Sequence, residues 1–276
     1  MADSRLPDLT LIIPASPIPS HPSTAVIERA LDSLLTHLPD GTFRTIVCHD
    51  PPSPSLPPDR INAFEKYLQR LERLTVTERY RRLDLNVTTA PRWGHLAGSL
   101  GHAIGHVQSE FVFILQHDFF LTEHLPILDL LEMMRRHPEV KHLRLNRKAN
   151  LPRFWDGRTE ERQRFFTERS FDGVQVCQTL AWSDNPHLAR TEYYTDLILP
   201  LVGDQQTFPE NVCDPLNTPE SHAQFGTFVY GAEGRAPTVG HIDGAAYIPP
   251  SRFQRALTAL RGGLRLRTRL KALLRR

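Results

Sequence analysis

Two carboxylates stand where a fold would place chemistry. The run Phe111-Val-Phe-Ile-Leu115 is unbroken and apolar, and it leads through Gln116-His117 to a lone acid, Asp118. A continuous apolar run of this kind reads as a strand buried on both faces of a parallel sheet. Ligands of open α/β sheets bind at the carboxyl ends of such strands, so Asp118 is a candidate for holding a substrate or a metal. The flanking Phe119-Phe120-Leu121 is too apolar for an ordinary exposed turn. Asp50 closes a second run, Phe43-Arg-Thr-Ile-Val-Cys48-His49. It reads either as a turn residue before Pro51-Pro52 or as a carboxylate that hydrogen-bonds a nucleotide base or ribose.

Histidine is abundant, with 13 residues. At the helical 100° per residue, His95, His102 and His106 fall within about 40° of one another. His102 and His106 also have the HxxxH spacing that binds zinc when a third ligand arrives. No Glu follows His102, so the HExxH metalloprotease signature is absent. His241, in Val-Gly-His-Ile-Asp-Gly, sits far downstream on a short strand candidate. Asp184 lies in the turn-like Ser183-Asp-Asn-Pro-His187 and is placed to cap a following helix. Glu210, in Thr207-Phe-Pro-Glu-Asn211, has no such evident structural task. The chain has no GxSxG elbow, no P-loop and no GxGxxG after its first strand.

The elements that must position these groups alternate. Leu9–Pro14 reads as a strand, followed by a proline-rich loop and a helix capped by Ser23 or Thr24 that runs to about His37. Strands at Phe43–Cys48 and Leu85–Thr89 flank a charged amphipathic helix over 59–74. Gly94–Val107 reads as a helix despite four glycines, which cost roughly 1 kcal/mol each relative to alanine; close backbone approach to a neighbour or a ligand would compensate. The strand 111–116, a helix at 124–136 and a strand Val140–Leu145 follow. This βαβα order predicts an α/β fold, a mostly parallel sheet with helices on both faces. After 146 the period fades. Arg147–Arg169 is rich in charge and aromatics; Val174–Trp182 reads as a strand and Leu188–Val202 as a helix. Thr227–Tyr230 and Val239–Ile242 are short strand candidates.

The composition is that of a globular protein: 276 residues, 40% hydrophobic and 23% charged. No stretch approaches the roughly 20 apolar residues of a membrane span. The polar N-terminus meets a strand directly and reads as no signal peptide. Cys48, Cys177 and Cys213 form no CxxC pair, which argues for a reducing compartment and against a zinc ribbon. Residues 251–276 carry nine Lys or Arg and no acid, so a total charge of +2 leaves −7 on residues 1–250. That balance excludes a globally basic nucleic-acid binder.

In this order, Leu11-Ile-Ile-Pro14, Cys48-His-Asp50, Gly94–Val107 and Gln116-His-Asp118 resemble the GT-A-type glycosyltransferases related to glycosyltransferase family 2. The last triplet falls where that family carries DxD. Over 175–244, Trp182-Ser-Asp-Asn-Pro-His187 and Tyr230-Gly…His241-Ile-Asp-Gly244 resemble a subgroup with HD in place of DxD. The resemblance implies a GT-A-like domain over 1–250, with a nucleotide half at 1–145 and an acceptor half at 146–250. It implies a donor nucleoside diphosphate sugar and a divalent cation, Mn or Mg, held by Asp118 with His241 as second protein ligand. It further implies donor contacts from Ser16, Asp50 and Gln116, and a general base at Glu210, or else Asp184, for an inverting transfer to a hydroxyl. Gln116 replaces the first carboxylate of DxD, which lowers the charge offered to a cation. The rival readings are a zinc-dependent hydrolase built on His102, His106 and either Asp118 or His241, and a nucleotide-sugar-binding domain without turnover.

Residues 251–274 form a basic amphipathic C-terminal helix in this reading, interrupted at Gly262-Gly263. Such a helix suits either packing on the domain or an anionic membrane surface. The second option places the protein in the cytoplasm, peripheral to the inner face of the membrane, with a glycan or lipid-linked acceptor in polysaccharide biosynthesis.

Overall fold

The computed structural model describes residues 5–155 and 159–242; the basic tail, and with it the expected C-terminal helix, lies outside them. A nine-stranded sheet forms the centre. Its strands are β1 (Arg5–Ala15), β2 (Thr42–His49), β3 (Leu85–Thr89), β4 (Phe111–Ile114), β6 (His142–Arg144), β7 (Thr167–Phe171), β8 (Val174–Gln178), β9 (His187–Arg190) and β10 (Thr227–Tyr230). A separate two-stranded ribbon pairs β5 (Phe119–Leu121) with β11 (Val239–His241). The sheet order is β3-β2-β1-β4-β9-β6-β10-β8-β7. The pairs β1–β2, β2–β3, β1–β4 and β6–β10 are parallel. Strand β9 is antiparallel to both neighbours, and β8 to both of its own. Seven strands therefore point one way and two the other, the mostly parallel sheet that the sequence predicts.

Alternation along the strands explains the two layers of helix. Leu9, Leu11 and Ile13 of β1, with Phe111 and Phe113 of β4, face one apolar layer together with Ile27, Leu31 and Leu34. Those three lie on helix α1 (Ala25–His37), and Phe64 and Leu71 join them from α2 (Pro58–Thr75). Ile12, Val112 and Ile114 face the opposite layer, with Ala97, Leu100 and Ala103 of α3 (His95–Ile104) and Ile198 beyond it. Every residue of β4 is buried, which is why its apolar run has no polar alternation. Helix α4 (Ile127–Arg136) turns Ile127, Leu130 and Met134 into the first layer.

Two expectations need correction. The stretch Leu188–Val202 is not one helix: its first residues belong to β9, and the helical segment starts at Thr191. Helical spacing among Ala189, Tyr193, Leu197 and Ile198 hides a strand of only four residues. Arg190 secures it, donating to Glu110 Oε1 at 2.6 Å and to the Met134 carbonyl at 2.8 Å. Strand 111–116 ends at Ile114, so Gln116, His117 and Asp118 ride on the loop beyond it. The strands β5 and β7 were not foreseen.

The glycines of α3 do not seat a second backbone. A Cβ on Gly94 would meet the Cα of Gly98 at 2.9 Å, within the same turn, whereas one on Gly98 would meet nothing within 4 Å. Their face opens onto a cavity shared with His102, Leu199 and Asp204.

Candidate active site

At the carboxyl ends of β1, β2 and β4 lies a small cavity of about 70 Å3. Ser16, Asp50 and Gln116 line it, with Pro14, His95, Ser99, His117 and Phe208. Asp50 is almost fully buried, at 4% exposure. Its Oδ1 accepts the Gly94 amide at 2.9 Å, so the carboxylate that ends β2 also serves the orphan donors at the start of α3. Burial raises its carboxyl above the ordinary value, and the amides of Gly94 and His95 pull it back. His95 adopts φ +56°, a left-handed conformation that costs a non-glycine residue of order 1–3 kcal/mol. The Ala97 amide donates to the Thr207 carbonyl at 3.1 Å, fixing the loop that presents Phe208.

Gln116 and Phe208 also line a second cavity of about 270 Å3, with Asp184, Asn185, Glu210, Arg147 and His241. The two cavities thus share a wall. Gln116 Nε2 donates to the Asp184 carbonyl at 2.8 Å, joining the loop after β4 to the loop before β9. Glu210 enters from the first turn of the helix Pro209–Leu216. Its Oε2 accepts from Ser183 Oγ at 2.7 Å and from the Asp184 amide at 3.1 Å. In return, Asp184 Oδ2 accepts the Glu210 amide at 3.1 Å. The two acids brace each other through backbone donors. Asp184 is buried, and that burial holds its carboxyl well above the ordinary value; the Glu210 charge adds to the rise, against the amide bond that opposes it.

Asp118 lines neither of these cavities. Its Oδ2 stands 3.0 Å from His241 Nε2, which does face the second one. The β5–β11 ribbon makes this pair, since His241 registers with Phe119 and the Ile242 amide donates to the Asp118 carbonyl at 2.8 Å. Asp118 Oδ1 is buried without a hydrogen-bond partner. A carboxylate oxygen and an imidazole nitrogen are two of the ligand types that divalent cations take. Among the described residues, no group of three or more His, Cys, Asp or Glu is gathered for a metal.

His117 lines the small cavity, its Nδ1 3.3 Å from the Pro14 carbonyl. Burial lowers its pKa and likewise brings His21 and His49 down to about 3. His49 lies 3.2 Å from the Tyr67 hydroxyl, and His21 stacks on the Tyr67 ring at 3.9 Å. The HxxxH pair is engaged elsewhere: His102 Nε2 lies 3.0 Å from Thr88 Oγ1, with the His106 ring 4.9 Å away and no third ligand joining them among the described residues. The three cysteines are buried and free, as their spacing suggests.

The sequence did not single out Phe208 or Asn185, and it brought in His95 only as part of a histidine face; all three line these cavities. Arg147 opens the aperiodic charged stretch, and that loss of period was its only signal.

The site defines an α/β protein whose ligand cavities lie at the carboxyl ends of its parallel strands. No protein-family model and no curated protein matches the chain. Among solved structures it is similar to S. aureus TarS, with 18% identity over 83% of this chain and 36% of that one, at a TM-score of 0.48. It is similar to TarS 1-349 in complex with UDP-GlcNAc, with 16% identity over 83% of this chain and 57% of that one, at a TM-score of 0.48. It is also similar to the mannosyltransferase PcManGT from Pyrobaculum calidifontis in complex with GDP-Man and Mn2+, with 15% identity over 82% of this chain and 55% of that one, at a TM-score of 0.47. The chain thus spans less than two thirds of the length of each.

Proposed function

We propose that the protein is a glycosyltransferase of the GT-A type, in the family 2 subgroup with HD for DxD, moving a hexose from a nucleoside diphosphate sugar to an acceptor hydroxyl with inversion in glycan synthesis. The observation that carries this reading is the shared wall formed by Gln116 and Phe208. It sets the cavity of Ser16 and Asp50 beside that of Asp184, Glu210 and His241. Asp50 and Ser16 take the nucleoside. Gln116 offers a neutral oxygen beside it.

Asp118 and His241 are the residues that would hold Mn2+ or Mg2+. When bound, the ion neutralises charge that develops on the diphosphate leaving group. Glu210 is the general base. Its Oε2 is occupied by Ser183 and Asp184, and Oε1 makes no hydrogen bond among the described residues, which leaves it for the acceptor hydroxyl proton. Asp184, whose carboxyl burial pushes well above its ordinary value, is a positioning residue. The 1–250 stretch acts as one domain, and 251–276 docks on an anionic membrane face.

Binding of a nucleoside diphosphate panel, with and without Mn2+, tests the reading. One or more nucleotides should bind, with affinity raised by Mn2+ in the wild type and not in Asp118→Ala. If no nucleoside diphosphate binds in either condition, the proposal is wrong.

A further inference from the structure

Beyond Glu210 lies a third cavity, of about 510 Å3, that the transfer chemistry above does not use. It shares Arg147, Asn185 and Glu210 with the cavity of His241 and no residue with that of Asp50. The three spaces therefore stand in series, with Glu210 at the junction of the second and third. Four guanidinium groups line the third: Arg144, Arg147, Arg153 and Arg162, against the carboxylates of Glu210 and Asp214. Asp214 is committed to Arg162, at 2.8 Å, and also accepts the Trp182 amide at 3.1 Å. Arg144 is buried at 1% exposure and lies 4.1 Å over the Trp155 ring. Arg147 and Arg153 have no carboxylate partner among the described residues.

Arg147 and Arg153 reach the cavity from exposed positions, and the planar arginine fork matches carboxylate and phosphate oxygens. We propose that this cavity binds an anionic group, phosphate or carboxylate, on the acceptor, and so presents the acceptor hydroxyl to Glu210. This deepens the proposed transfer and rests on it for the word acceptor, though not for the anion site itself.

The test uses the full chain and calorimetric titration with sn-glycerol 3-phosphate, glucuronate and, as a neutral control, glucose, each at a saturating level of whichever nucleoside diphosphate binds and also without nucleotide. At least one anion should bind and glucose should not, and the stronger of the two anions names the acceptor chemistry. Arg153→Glu, on an exposed side chain outside the other two cavities, should weaken the anion about tenfold or more while nucleotide affinity stays at the wild-type value. Arg147→Ala, at the junction, should weaken the anion as well. Failure of both anions to bind, or binding unaltered by Arg153→Glu, overturns the anion site. Anion binding that is lost in Arg153→Glu, without any nucleotide binding, keeps the site and sinks the glycosyltransferase reading instead.

Discussion

Glu210 and Asp184 carry equal formal charge, yet their surroundings assign them different work. Burial pushes the Asp184 carboxyl toward its protonated form, whereas Glu210 opens onto two cavities. Glu210→Gln is expected to lower transfer by about 10²–10⁴, the range typical of a lost general base, with nucleotide affinity intact. Asp184→Asn should retain most of that turnover, as measured in the same assay; a collapse equal to that of Glu210→Gln would exchange their roles. The raised Asp184 carboxyl also means that the folded state holds a proton the unfolded chain releases above about 3.8, so this residue costs stability as pH rises and Asp184→Asn should remove the cost. The buried histidines act in the other direction. His21 and His49 stay neutral in the fold down to about pH 3, whereas unfolded histidine takes up a proton below about 6.5. Stability is full above that value and drains away as pH falls through the window toward 3. Thermal unfolding followed from pH 7.5 to pH 5 should show a falling midpoint, and His21→Phe, which keeps the ring on Tyr67, should flatten the slope. Asp50, Gln116 and Glu210 were readable as residue types at strand and loop ends. What could not be read was that Asp50 already spends one oxygen on the Gly94 amide, since that bond spans 44 residues.

Among the elements, the first half of the chain was legible; in the second, β8, β10 and β11 were, and β7 and β9 were not. β1 to β4 obey simple rules: apolar runs of strand length, separated by helices with an apolar stripe. β9 obeys none, because four residues give a period of two no room to show and the following Tyr193 and Ile198 extend a helical pattern through it. Strand β11 was legible, but its pairing with β5 was hidden for a different reason: these three-residue strands pair across 118 residues and owe their form to one close approach. Gly240 registers with Phe120, and a Cβ there would sit 2.1 Å from the ring edge. That ring also carries the Arg29 guanidinium at 3.9 Å. Gly240→Val should force the ring aside at a cost of about 1–3 kcal/mol. Because the same ribbon aligns His241 with Asp118, it should also blunt the Mn2+ enhancement of nucleotide binding, read by titration. A variant with unaltered enhancement would separate the ribbon from the ion.

Across the whole molecule, no described helix is long and apolar enough to cross a membrane. The boundary at residue 145 does not divide the sheet. β4 and β6, both from the first half, never touch as strands; β9, from the second, lies between them and bonds to both. A chain cut at 150 therefore leaves two strands facing an empty slot. The fragment 1–150, expressed alone, should precipitate or bind hydrophobic dye, and co-expression with 151–276 should restore a soluble pair, which size-exclusion chromatography would reveal. A soluble, well-ordered 1–150 monomer would contradict this.

The same slot sets a timetable for synthesis. While the ribosome is still building residues 151–186, the nascent sheet waits with its middle rung missing, one border of β4 and both borders of β6 exposed to every neighbouring chain. Any slowing of translation over that interval lengthens the exposure, so the yield of native protein should depend on how quickly one four-residue strand emerges.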